Sequence, residues 1–139
     1  MSRQGSPLQT SQYNGGGVLE SLDTAGMKSR DARRVVDVKQ IQLALELYFD
    51  AKVGYPQTVG WEAGLTNEGL IPQIPKDQLS GTSYGYQACG GGESEKTIET
   101  YCLTARLEDA SNSALNADFD SPPTGCTCYA ADPFYAVSP

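Results

Sequence analysis

The sequence has no histidine in 139 residues, which removes the commonest general base, the usual zinc-ligand pairings and every Ser-His-Asp or Cys-His arrangement. Catalysis of the ordinary kinds is therefore not expected. Basic residues are scarce as well: 10 stand against 17 acidic ones, a net charge of −7 that is ill suited to holding a phosphate backbone. Long apolar runs are missing, since the most apolar stretch, Ile41 to Phe49, has Glu46 inside it and falls far short of the roughly 20 residues that span a bilayer. No secretory signal peptide is visible. The four cysteines lack a metal-like double CxxC and fit disulfides in an oxidising compartment better than a metal site. What is present is ordinary for a folded chain. Adding the 15 glycines to the 39% hydrophobic fraction gives about half apolar residues, within the single-domain range for this length.

Three stretches differ in texture. Residues 1–17, which include Gly15-Gly16-Gly17, are polar and aperiodic and look like an expression tail and linker. In residues 18–26, Val18, Leu19 and Leu22 frame a short amphipathic turn that Gly26 is expected to weaken. The rest, 27–139, reads as one folded domain. Its strongest signal is Lys28 to Lys52, where Val35, Val38, Ile41, Leu45 and Tyr48 recur at steps of three and four and predict a long amphipathic helix. Val36, Leu43 and Leu47 form a second stripe suited to a neighbouring subunit. Asp31 with Arg34 and Arg33 with Asp37 are expected to pair on the outer surface, and Gly54 with Pro56 to stop the helix.

Residues 55–80 carry repeated glycine and proline and are expected to be a loop, with at most one helical turn near Asn67 to Leu70 and with Trp61 as its apolar plug. The period then changes to two. Tyr84, Tyr86 and Ala88, and later Tyr101, Leu103, Ala105 and Leu107, mark two strands joined by the loop Gly90 to Thr97. Parity places Cys89 and Cys102 together on the face away from the helix. If Gly125 to Ala130 is a third strand, Cys126 and Cys128 also share a face, so all three connectivities stand. The hairpin favours Cys89–Cys102 with Cys126–Cys128.

One long helix followed by a short antiparallel meander with disulfides is an α+β arrangement. The helix text Lys28-Ser29-Arg30-Asp31-Ala32-Arg33-Arg34, then Asp37-Val38-Lys39-Gln40-Ile41-Gln42 and Ala44-Leu45-Glu46-Leu47-Tyr48, closing on Gly54-Tyr55-Pro56, resembles type IV pilins and the pseudopilins of type II secretion. Tyr84-Gly85-Tyr86 and Tyr101 to Glu108 are similar to the sheet of small bacterial pilins. The resemblance implies a non-enzymatic structural subunit of an extracellular filament, whose partners are other pilin subunits. It also implies an apolar half-helix ahead of the domain that holds the precursor in the inner membrane. That segment is not seen in these 139 residues, so a soluble monomer is expected. An adhesin-type minor pilin, binding through Gly90 to Thr97, is the alternative.

No cofactor is required. Pseudopilins are known for a calcium-holding loop near the C-terminus, which makes Asn116, Asp118 and Asp120 the calcium candidates here. EF-hand spacing is absent, and Pro122-Pro123 fits a solvated turn equally well. Arg30, Arg33 and Arg34 form a basic cluster of the sort that serves DNA uptake in some minor pilins, but the interleaved Asp31 and Asp37 favour intrahelical pairing over nucleic acid.

Overall fold

The computed structural model describes residues 15–90, 97–128 and 130–139. It is an α+β fold, with one long helix packed on a three-stranded antiparallel sheet of order β1-β2-β3. Helix α1 spans Gly15–Lys52, and its 38 residues make it about 57 Å long at 1.5 Å per residue. The helix passes through Gly26 without a break. A single interior glycine costs about 1 kcal/mol, less than a continuous helix gains from the packing of its later turns. The expected start at Lys28 is thus corrected to Gly15, and only residues 1–14 of the tail-like segment lie outside the description.

Val38, Ile41, Ala44 and Leu45 are buried against the sheet, while Val35 and Tyr48 are half-buried at the margins of the same stripe. The helix ends differently from the expected glycine stop. Val53 takes the left-handed turn, with φ 58°, and its N–H closes onto the Phe49 carbonyl at 2.7 Å. Gly54 instead permits close approach of residues 97–98, because a Cβ there would lie 2.9 Å from Thr97 Cγ2. The Tyr55 N–H donates to Ile98 O at 2.9 Å beside it.

Residues 55–80 contain a second helix, α2, at Trp61–Asn67, where only a turn farther along was expected. Burial of Trp61 and Leu65 on one side overrides the local glycines. Trp61 stacks on Tyr86 at 5.0 Å, Tyr86 on Tyr101 at 5.9 Å, and Tyr101 meets Tyr55 edge-on at 4.7 Å, so an aromatic layer joins α2, the sheet and the end of α1.

Strands β1 (Gly85–Cys89) and β2 (Thr100–Arg106) form the expected antiparallel pair, with Tyr86 opposite Leu103 and Ala88 opposite Tyr101. The third strand is β3, Phe134–Val137, and not Gly125 to Ala130. It pairs with β2 so that Ala105 faces Tyr135. Around Cys126 the chain is irregular, and Gly125 has φ 88°. It crosses the outer face of the sheet instead of joining its edge.

Cys89 and Cys102 do share that outer face, but the register offsets them: Gln87 is opposite Cys102 and Thr100 is opposite Cys89. The favoured connectivity is therefore corrected. The bonds are Cys89–Cys126 and Cys102–Cys128, one from each strand to the crossing segment, with none between the strands. The outer face is not open to solvent either. Cys89, Cys102 and Cys126 are buried in a small second cluster with Phe119 and Cys128 against it.

Candidate functional site

The first cluster of functional side chains grows from one turn of α1. Asp31 and Arg34 are three residues apart and so lie on one helix face. That face looks inward, and both residues are fully or almost fully buried, which corrects the expectation of a surface pair. Arg34 Nη1 reaches Asp31 at 2.8 Å and Glu108 at 2.6 Å, while its Nε and Nη2 grip the two oxygens of Asp77 at 2.6 and 3.2 Å. Arg30 forks onto Glu108 with two bonds of 2.7 Å. Asp31 in turn accepts the backbone N–H groups of Glu108 and Asp109 at 2.8 and 2.9 Å.

This is a clasp: two guanidinium groups and three carboxylates fasten the helix to the end of β2 and to the 77–82 turn. Each carboxylate has fixed donors around it, as a buried charge requires. The Arg34 guanidinium, helped by the N–H groups of Ser80 and Leu79, lowers Asp77 to about 2. Arg30 and then Arg34 lower Glu108 to about 2 as well. Arg34 itself is held charged. One helical turn farther on, Asp37 is also buried. It accepts the Tyr84 hydroxyl at 2.7 Å and the Arg33 Nε at 3.0 Å. Arg30 and Arg34 thus direct their donors within the molecule, whereas Arg33 gives one bond to Asp37 and keeps its side chain 61% exposed.

A concavity of about 820 Å³ opens beside the clasp between Met27, Leu79, Tyr84, Arg106 and Phe134. Its most strongly charged lining groups, Arg34, Asp77 and Glu108, are already satisfied by one another. Glu46 is likewise engaged, accepting hydroxyls from Tyr55 at 3.0 Å and Tyr101 at 3.3 Å.

A second cluster lies beside the edge strand β3. Asp118, Asp120 and Asp132 each present a carboxylate oxygen, all within 4.8 Å of one another. Asp118 Oδ2 accepts the Ala136 N–H at 2.9 Å, whereas its Oδ1 is buried without a hydrogen-bond partner among the described residues. Burial, with Asp120 and Asp132 adding repulsion, pushes the Asp118 carboxyl up. These three are the residues suited to a hard cation such as calcium. Asn116, the other candidate, closes a 3₁₀ turn at Ser113–Asn116, two residues before Asp118. Asp132 was not legible as a candidate, because the chain first travels through both disulfide positions before returning.

The third feature is a surface. Val36, Leu43 and Leu47 stand 50%, 62% and 42% exposed on the side of α1 away from the sheet. From residue 21 to 25 the helix is exposed all round. Among the described residues no helix is long and apolar enough to cross a membrane. Comparison with protein-family models, with curated proteins and with solved structures found no match for this chain.

Proposed function

We propose that this chain is a structural subunit of the type IV pilin or pseudopilin kind, acting by packing and not by catalysis. The observation that carries the reading is the shape of α1: a helix of 38 residues whose later half holds the sheet while residues 21–25 are exposed all round. A stalk that outreaches its own head can enter an assembly without disturbing the head's core. The free face with Val36, Leu43 and Leu47 is apolar surface of the sort that subunit contacts bury. Two disulfides suit a filament outside the cell, where chains are not refolded.

The test joins a pilin-type apolar half-helix ahead of α1 and expresses the chain in a host whose own major subunit is deleted. Filaments containing the chain are expected, and the same protein remaining dispersed in the membrane would refute the reading.

Within it, the carboxylates of Asp118, Asp120 and Asp132 favour a secretion pseudopilus, the branch for which a calcium-holding C-terminal loop is implied. Calcium at 100 times its dissociation constant should then stabilise the fold by about 2.7 kcal/mol. Melting in calcium and in chelator reads this directly, and Asp118→Asn should abolish the difference. Identical melting curves for the unaltered chain would remove the pseudopilus preference.

A further inference from the structure

The free face of α1 carries a pattern that the fold itself does not use. Leu43 and Leu47 are one turn apart, and Val36 lies two turns before Leu43. Lys39 and Asp50 lie along one edge of this face, eleven residues or three turns apart. Both are exposed, and neither has an ion-pair partner among the described residues. The neighbouring charges are occupied: Arg33 with Asp37, Glu46 with two tyrosines, and Lys52 with Glu68 at 3.2 Å.

We infer that this face pairs with the same face of a second copy, antiparallel, about a two-fold axis between Leu43 and Leu47. The midpoint of Lys39 and Asp50 coincides with that of the two leucines to within one residue. Such an axis sets Lys39 of each copy beside Asp50 of the other, and each Leu43 against the other copy's Leu47. A parallel pair, related by an axis along the helices, would instead put the two Lys39–Asp50 edges on opposite sides of the contact, where neither charge meets its complement. Antiparallel packing also opposes the two helix dipoles. Because the contact is isologous it closes at two copies, and the sheets lie on the far sides of the helices, out of the way.

The shared segment, residues 36 to 52, is about 26 Å of helix. That is less than a standard interface, so association on the order of 100 μM is expected. The pairing does not depend on the filament reading, since it needs no apolar half-helix; it would cover the face that filament neighbours would otherwise use.

Sedimentation equilibrium of the full chain from about 10 μM to about 1 mM should show a closed monomer–dimer equilibrium that weakens with salt. Leu43→Asp should weaken it about tenfold or more without changing the melting temperature, because Leu43 supports nothing in the core. Lys39→Asp and Asp50→Lys should each weaken the dimer, and the double swap should restore it. A monomer at all concentrations, an open ladder of oligomers, or a double swap no better than either single variant would overturn the proposal.

Discussion

Arg34 shows how one buried charge can bind three separate stretches of chain. Its helix neighbour Asp31 was readable from spacing alone, but Asp77 and Glu108 were not, because they lie 43 and 74 residues away and nothing local marks them. The burial of the pair was equally hidden, since a charge at helical spacing looks the same whether it faces water or a sheet. Removing the guanidinium leaves Asp31 charged and enclosed. Arg34→Met should therefore cost about 3–5 kcal/mol, measured by urea unfolding, and Arg34→Lys should recover only part of this because an ammonium cannot fork onto Asp77. Val53 is the opposite case, an exposed side chain under backbone strain. A β-branched residue in the left-handed region costs about 1–2 kcal/mol, so Val53→Gly should raise stability by about 1 kcal/mol after glycine's extra chain entropy is deducted.

At the level of elements, periodicity revealed the long helix, the β1–β2 pair and the inward residues of both, because one face of each is apolar and the other is not. It failed where tertiary contacts outvote local propensity. The start of α1 was misplaced by glycine, α2 was hidden by the same residue type, and β3 was misplaced because Gly125 to Ala130 has a strand-like alternation but a course across the sheet. The cysteine pairing depended on that error. Once the third strand moves to Phe134–Val137, the segment with Cys126 and Cys128 is free to lie over Cys89 and Cys102, and the two-residue offset in register assigns each its partner. In the chain-entropy account, bridges closing 37 and 26 residues are each worth about 3.5–4 kcal/mol. That support matters for a strip whose second core is only a handful of residues.

For the whole molecule, the clasp sets the response to acid. Asp77 and Glu108 ordinarily titrate at 3.8 and 4.5 but are lowered to about 2 in the fold. Lowered carboxylates bind fewer protons folded than unfolded, so their contribution is complete above the unfolded values and declines as pH falls toward 2. The melting temperature should drop over that interval, and the drop should be smaller in Arg34→Met, which releases Asp77 while Arg30 still holds Glu108; equal slopes for the two proteins would exclude the Arg34–Asp77 contact as a cause. Asp118 has the opposite sign: its raised value favours the protonated fold, and a cation at the same place would do what the proton does. The disulfides have one more consequence, in the language of fragments. Their order along the chain is interleaved, the first cysteine with the third and the second with the fourth. Any single backbone cut between Cys89 and Cys128 therefore leaves both pieces tied by at least one bridge. A protease nicking this region once should yield a particle of nearly unchanged mass on a non-reducing gel and two bands only after reduction, so damage to half of the head would go unseen until thiols arrive.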